Sequence, residues 1–249
     1  MDSYQALAPY YDRFTDDVPY DQWADFVERL FTLDGQRPEI VLDLACGTGA
    51  MTRRLAQKGY DLIGVDASEE MLMQARERAA GLNPPPLFLQ QEMEELDLYG
   101  TVGACVCCLD SVNYLTELDQ LQRAFDRVAL FLEPGGLFLF DVNTPYKHRE
   151  ILGNHTFVYD TDEVYCVWQN TALPDDTVQM DLDFFFPDEA QEDVYVRERE
   201  QITERAYAAA QWEEMLRNAG FRILTRYDGY TENPPSAHSE RIVYAVQKE

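Results

Sequence analysis

"VLDLACGTGA" (residues 41–50) is the stretch on which the reading of this chain turns. An apolar run carries an acid, Asp43, and passes through Ala45 and Cys46 into two glycines, Gly47 and Gly49. A short run of this kind is what a strand buried on both faces shows. Glycines directly behind it mark a tight turn at which a ligand can approach the backbone. The surrounding residues decide which ligand the turn receives.

Downstream, "MTRRLAQKG" reads as a helix ending at Gly59, and "YDLIGVDAS" (60–68) as a second strand. Ser68 is placed to cap the helix "EEMLMQARERAA", which stops at Gly81. "PPPLFLQQEM" and "TVGACVCCLD" (101–110) supply strands three and four, "LDQLQRAFDRVALFL" a helix, and "LFLFDVN" (137–143) a fifth strand behind the turn "EPGG". Strands alternating with helices predict an α/β fold: a Rossmann-like parallel sheet with helices on both faces, its last strand antiparallel. Ligands of such sheets sit outside the carboxyl ends of the strands. The pattern changes near residue 150. "TFVYDTDEVYCVWQN", "TVQMDLDFFF" and "VYVREREQIT" read as three antiparallel strands, separated by the turn compositions "LPDD" and "PDEAQED". "YAAAQWEEMLRNAG", "FRILTRYDGY" and "RIVYAVQKE" then restore the α/β style. The expected organisation is an N-terminal helical lid (1–34), a ligand-binding domain (35–149 and 206–249) and a small antiparallel β insertion after strand five (150–205). Upstream, "YDQWADFVERLF" (20–31) carries helical spacing.

The 249 residues suffice for one large domain with an insertion. The balance of 46 acidic against 20 basic residues, a formal net charge of −26, repels phosphate backbones and disfavours bulk nucleic-acid binding. No stretch is long and apolar enough to span a membrane, and "MDSYQALAPYYDRF" lacks the pattern of a secretory signal. Five cysteines, three of them crowded at 105, 107 and 108, do not form a disulfide framework. The expectation is a cytoplasmic protein with core cysteines.

A phosphate-binding loop needs Lys and Ser/Thr behind its glycines, but Gly49 is followed by Ala50 and Met51. A dinucleotide site wants a third glycine where Met51 and Thr52 stand. Asp66, at the end of strand two, suits ribose hydroxyls but serves either adenosine ligand. Asp43 separates the two. Beside a pyrophosphate it would repel, whereas beside the sulfonium and ammonium of S-adenosyl-L-methionine it attracts. The charge favours S-adenosyl-L-methionine.

"LDLACGTG", "GVDASEEML", "QQEME", "CCLDSVNYL" and "LEPGGLFLFDVN", in this order over residues 38–145, resemble the successive motifs of class I S-adenosylmethionine-dependent methyltransferases. "LACGTG" followed by "VDAS" is similar to glycine N-methyltransferase, which also carries alanine at the position of Ala45, where many relatives have glycine. The opening "APYYD…DVPYDQW" and the insertion resemble deoxysugar N,N-dimethyltransferases. The resemblance implies cofactor contacts residue by residue. Gly47 and Gly49 would let the backbone approach the methionine portion, a Cβ there clashing, and Asp43 would orient the loop and the ammonium group. Asp66 would accept from both ribose hydroxyls, while Ala67 and Met71 would pack near the adenine. Glu92 and the Met93 backbone N–H would meet the adenine edge, the Leu109 carbonyl the ammonium, and Tyr11 would close over the cofactor.

For the acceptor, Asp110, Asn113 and Tyr114 follow strand four at the ligand edge. His148 follows strand five and is the best base among three histidines that lack the mutual spacing of a metal site, so no metal is expected. The aromatics Tyr4, Tyr10, Tyr11, Phe14, Tyr20 and Trp23 form either a lid or ordinary helix packing. The "FFF" at 184–186 reads as the core face of the insertion, any exposed part meeting substrate or a second copy in a homodimer. The expected activity is methylation of a small-molecule nitrogen or oxygen. Methylation of tRNA or protein, non-catalytic binding of S-adenosylmethionine, and an NAD-dependent oxidoreductase are the alternatives.

Overall fold

The computed structural model describes residues 8, 11–32, 37–161, 164–188 and 194–249. Strand β1 (Ile40–Leu44) alternates its burial between two cores. Leu42 and Leu44 point to one side of the sheet, Val41 to the other. The period of two along a strand sets this division. β4 (Val102–Cys107) repeats it, with Cys105 and Cys107 on the first side and Ala104 and Val106 on the second. The crowded cysteines are therefore core residues, and all five thiols of the chain are buried and free.

β1 pairs in parallel with β2 (Asp61–Asp66) and with β4, and the sheet extends through β3 (Leu87–Gln90) and β5 (Leu132–Asn143), all parallel. β11 (Arg241–Lys248) lies antiparallel to β5, and β10 (Phe221–Asp228) antiparallel to β11. The order β10-β11-β5-β4-β1-β2-β3 makes β11 the one reversed strand of this sheet. The Rossmann-like expectation, with its antiparallel last strand, is met.

Helices cover both faces because each carries one apolar stripe. α5 (Leu118–Phe131) and α6 (Ala209–Asn218) bury Leu121, Phe125, Trp212 and Leu216 on one side. α2 (Tyr20–Phe31) and α3 (Ala50–Gln57) bury Phe26, Val27, Met51 and Leu55 on the other. Side chains of this size each contribute about 1.5–3 kcal/mol on burial. α4 (Glu69–Arg78) starts at Ser68, whose hydroxyl accepts from the Met71 N–H at 3.2 Å. Gly59 takes a left-handed φ of 87° behind α3, as a helix-ending glycine does.

The second sheet is a four-stranded antiparallel meander: β6 (Thr156–Asp160), β7 (Tyr165–Leu173), β8 (Thr177–Pro187) and β9 (Tyr195–Arg205). Three strands were expected. The segment read as the first of them supplies two, β6 and β7, and the Thr161 N–H and hydroxyl both donate to the Val164 carbonyl. The turn composition "DTDE" inside an otherwise apolar stretch is the signal that this reading passed over. β8 alternates strictly, burying Val178, Met180, Leu182, Phe184 and Phe186. Two of the three consecutive phenylalanines are therefore core residues. The opposite face carries Asp183 with Arg197 and Arg199, and Asp181 with Gln201. A single sheet with one apolar face must bury it against something. Here the partner is the carboxyl edge of the first sheet together with Tyr11, Phe14 and Tyr114.

Among the described residues no helix is long and apolar enough to cross a membrane.

Candidate functional site

At the end of β1 the chain turns through two left-handed residues, Ala45 (φ 56°) and Gly47 (φ 53°). A Cβ built on Gly47 would meet no protein atom within 4 Å, so the space before it is open to a ligand. Gly49 is small for another reason. Its Cβ would lie 3.1 Å from the Ala75 Cβ and 3.5 Å from the Phe88 ring, so its hydrogen lets the loop pack on α4 and β3. Gly47 thus faces open space, whereas Gly49, itself left-handed at φ 74°, packs against α4 and β3. Asp66, at the end of β2, accepts from the Gly47 N–H at 2.8 Å and the Ser68 N–H at 2.9 Å. A carboxylate has about four acceptor sites, so beside the amides of Gly47, Ser68 and Ala67 it keeps room for a hydroxyl donor. Burial pushes the Asp66 carboxyl up, against the pull of those amides.

Asp43 is 1% exposed and accepts from the Thr52 hydroxyl. Burial pushes its carboxyl up to about 7, the Thr52 hydrogen bond opposing and Asp66 adding to the rise. Above the loop, α1 (Tyr11–Phe14) is tied down through Asp12. The Thr48 hydroxyl donates to Asp12 at 2.5 Å, and Arg78 of α4 pairs with the same carboxylate at 3.0 Å.

A second polar cluster lies at the ends of β4, β5 and β11. Leu109 and Asp110 are both left-handed, at φ 58° and 51°, and such strain in non-glycine residues needs its surroundings to hold it. The Asp141 carboxylate does so, accepting from the Asp110 N–H at 3.0 Å. Asp141 is fixed in turn by the Tyr230 hydroxyl at 2.7 Å and by Arg241. Arg241 also pairs with Asp110 at 2.5 Å. Burial pushes the Asp110 carboxyl up, but Arg241 and then Lys147 outweigh it and hold it below the usual range. The Asn143 amide donates to Asp110 at 2.8 Å and to Glu204 of β9 at 3.0 Å, joining the two acids.

Between these clusters and the second sheet lies a cavity of about 250 Å³. The first sheet contributes Leu109, Asp110, Asn143 and Arg241 to its wall, and the N-terminal segment Tyr11, Phe14, Thr15 and Val18. The meander contributes Tyr159, Trp168, Met180, Leu182, Phe184 and, at the polar end, Glu204. Phe14 stands edge-on to Tyr159 and Phe184, at 5.5 and 5.6 Å, locking the N-terminal segment to the meander.

Residues 41–136 match the family model described as a methyltransferase domain. YqeM of Bacillus subtilis (strain 168), named for the methyltransferase family, is 37% identical over 98% of this chain and 97% of its own length. The crystal structure of an S-adenosylmethionine-dependent methyltransferase from Clostridium acetobutylicum ATCC 824 superposes with a TM-score of 0.89 at 35% identity, covering 98% of both chains. The chain belongs to the S-adenosylmethionine-dependent methyltransferases. A deoxysugar enzyme, the dTDP-3-amino-3,4,6-trideoxy-alpha-D-glucopyranose N,N-dimethyltransferase of Streptomyces venezuelae, is similar over 41% of each chain at 34% identity. S-adenosyl-L-methionine is the cofactor of the family, and the open cradle at Gly47, the spare acceptor site of Asp66 and the buried acid Asp43 fit it.

Within this methyltransferase, Asp43, Ala45, Gly47, Gly49 and Asp66 meet in one loop cluster, with Met71 buried just behind the Ser68 cap. Ala67 is exposed beside them, its carbonyl accepting from Gln90 at 3.0 Å. Glu92 and Met93 follow β3, Glu92 near enough to Asp66 to add to its upward push. Tyr11, Leu109 and Asp110 line the cavity, and Tyr114 lines it beside them. Asn113 and His148 do not. Asn113 is fully buried, its amide donating to the Arg205 and Asn143 carbonyls and its oxygen accepting from the Asn143 N–H. His148 lies behind Glu204. The aromatic N-terminus divides. Tyr11 and Phe14 face the cavity, whereas Tyr20 is buried against the first sheet and Trp23 stacks on Tyr230 at 3.9 Å. Tyr4 and Tyr10 lie outside the described residues. Glu204, Arg241, Lys147 and Tyr230 were not anticipated. For Glu204 the inward phase of β9, shared with Ile202, is the available signal.

Proposed function

We propose that this methyltransferase carries a methyl group from S-adenosyl-L-methionine to a nitrogen or oxygen of a small molecule held in the 250 Å³ cavity. The observation that carries this reading is the shared wall. Tyr11 and Leu109, assigned here to the cofactor, border the same space as Asp110 and the apolar face of the meander. When bound, the cofactor supplies an already activated methyl carbon, so the chain's task is alignment and exclusion of water. Asp43 then answers the ammonium and sulfonium charge, Asp66 the ribose hydroxyls, Met71 and Ala67 the adenine face, and Glu92 with the Met93 N–H its edge. Residues 1–34 act as the lid, 150–205 as the acceptor cap, and 35–149 with 206–249 as the cofactor domain. The meander meets the acceptor with its apolar face, because that face is turned to the cavity. Five free buried thiols suit a reducing cytoplasm. The net charge of −26 favours small acceptors over polyanions.

The test is incubation with metabolite fractions and methyl-labelled cofactor, read as acceptor-dependent formation of S-adenosylhomocysteine. Tight cofactor binding without turnover on any fraction would make the protein a sensor instead. Asp66→Ala is expected to weaken cofactor binding by about 2–3 kcal/mol in calorimetry, since the ribose loses a charged acceptor. Gly47→Val, which fills the open cradle with a branched side chain at a left-handed φ of 53°, is expected to abolish binding, with circular dichroism checking that the variant folds.

A further inference from the structure

His148 is 1% exposed, and its Nδ1 lies 2.7 Å from the backbone carbonyl of Asp176. A carbonyl only accepts, so Nδ1 carries a proton, and in the tautomer with its single proton there Nε2 is an acceptor. That Nε2 has no hydrogen-bond partner and lies 3.6 Å from a Glu204 carboxylate oxygen. Two buried acceptors facing each other are unfavourable, and the conflict is relieved when Glu204 takes up a proton that Nε2 can receive as a hydrogen bond. A proton on Glu204 therefore gives the orphaned nitrogen a partner. Burial first, and then repulsion by Asp110, push the Glu204 carboxyl above the ordinary carboxylate range.

The ionisable groups around Glu204 come from every neighbouring element: Asp110 after β4, Asp141 in β5 through Arg241, Lys147 and His148 from the turn after β5, and Arg241 from β11. The wall adds the phenols of Tyr11, Tyr114 and Tyr159 and the Cys166 thiol. Three acidic groups face two cations, and Glu204 also hydrogen-bonds to Asp110. Arg241 is shared by two of the acids, and Lys147 donates to the Asn143 oxygen at 2.9 Å. This end of the cavity suits a cationic group. The other end is apolar and aromatic: Phe14, Tyr159, Trp168, Met180, Leu182 and Phe184. The Trp168 N–H is already satisfied by Asn170 at 2.6 Å, so the ring offers its carbon surface. At about 250 Å³ the space is smaller than pockets for drug-sized ligands and takes a single ring with a short chain, not a nucleotide.

We propose that the acceptor is a primary or secondary amine carried on an apolar, ring-sized body, and that its nitrogen meets Glu204, with His148 as the positioning residue behind it. This rests on the methyl-transfer reading above. An ammonium proton passes to the Glu204 carboxylate. The freed lone pair bonds to the methyl carbon as the carbon–sulfur bond breaks with its electrons on sulfur, leaving a methylated ammonium, a neutral thioether and a protonated Glu204.

The test uses the full chain saturated with S-adenosylhomocysteine and three probes of one shape: phenethylamine, phenethyl alcohol and phenylacetate. The amine is expected to bind at least about tenfold more tightly than the alcohol, and phenylacetate more weakly than either. Glu204→Gln is expected to erase the amine preference while S-adenosylhomocysteine affinity stays within about threefold. In turnover of the amine, kcat/KM is expected to rise with pH along an acid limb that Glu204→Gln removes. His148→Asn keeps a donor toward Asp176 but deletes Nε2. It is expected to lower kcat with KM little changed and to move that limb to lower pH, whereas a merely structural role would leave the limb in place. Nitrogen-resolved NMR of the ligand-free protein is expected to show His148 protonated at Nδ1, a readout that stands even if a variant fails to fold. Equal binding of amine and alcohol, an amine preference that survives Glu204→Gln, or a His148 proton on Nε2 with Nδ1 bare would each overturn the proposal. Absence of S-adenosylhomocysteine binding by the unaltered protein would instead strike the methyl-transfer reading itself.

Discussion

Asp43 and Asp110 stand at the same edge of the same sheet, one within β1 and the other just after β4, and burial pushes both carboxyls up. They end on opposite sides of the ordinary carboxylate range. Asp110 has Arg241 at 2.5 Å and Lys147 nearby, and is held low. Asp43 has the Thr52 hydroxyl and backbone N–H but, among the described residues, no paired cation, and rises to about 7. The chain completes one ion pair itself and leaves the other acid without a cation. An ionised carboxylate in such a place is costly until a positive group joins it. Asp110 is therefore paired within the chain, whereas the proposed function gives Asp43 a cation that arrives with the cofactor.

Removing the cation from the completed pair is expected to have the largest effect. Arg241→Met leaves Asp110 and Asp141 buried and uncompensated, and a loss of about 3–5 kcal/mol in urea unfolding is expected. A loss under about 1 kcal/mol would show that Lys147 alone suffices and would weaken the contrast.

Asp43→Asn is expected to act with the opposite sign on the ligand-free protein. The folded carboxyl, at about 7, holds its proton where the unfolded one has lost it. Its contribution is therefore complete below the ordinary carboxylate range and is lost as pH rises toward 7. Wild-type stability should fall over this window, and the asparagine variant should flatten the fall and be the more stable of the two at pH 8, by about 2 kcal/mol. Its cofactor affinity should drop about tenfold at the same pH. The wild type should release protons on binding cofactor near pH 7, visible as a dependence of calorimetric heat on buffer, and the variant should not.

The smallest effect is expected at the latch. Asp12→Ala removes a half-exposed link between α1, Thr48 and Arg78, worth about 0.5–1 kcal/mol. Cofactor dissociation followed by stopped flow should quicken severalfold, with equilibrium unfolding little altered.

The same division explains what the sequence disclosed. The loop cluster around Gly47 is local: Asp43, Ala45 and Gly47 fall within five consecutive residues, and Asp66 closes the next strand at the spacing a β-α-β unit requires. Ser68 capped its helix as read, because N-capping depends on a few neighbouring residues. The polar cluster around Asp110 is assembled from afar. Glu204 lies in "QITER" and Arg241 in "SERIVY", sequences that resemble any solvated strand end. They meet Asp110 only because β9 runs back to the sheet edge and β11 pairs with β5, Arg241 opposite Asn143. Asn113, legible as a residue at the ligand edge, serves the backbone instead, since its amide finds two carbonyls before it reaches the cavity.

Asn113 has a further consequence for how the chain tolerates change. Its Nδ2 joins the carbonyl of Asn143, where the chain leaves the first sheet, to that of Arg205, where the meander ends and the chain returns toward α6. One buried amide thus holds together the entry and exit of the whole insertion. Loop-closure entropy grows only slowly with length, by about 0.6 kcal/mol per doubling. With both ends pinned, the intervening meander can lengthen, shorten or change composition at little cost to the sheet beneath it. The protein is built as a fixed socket with an exchangeable fitting, and Asn113 is the fastener.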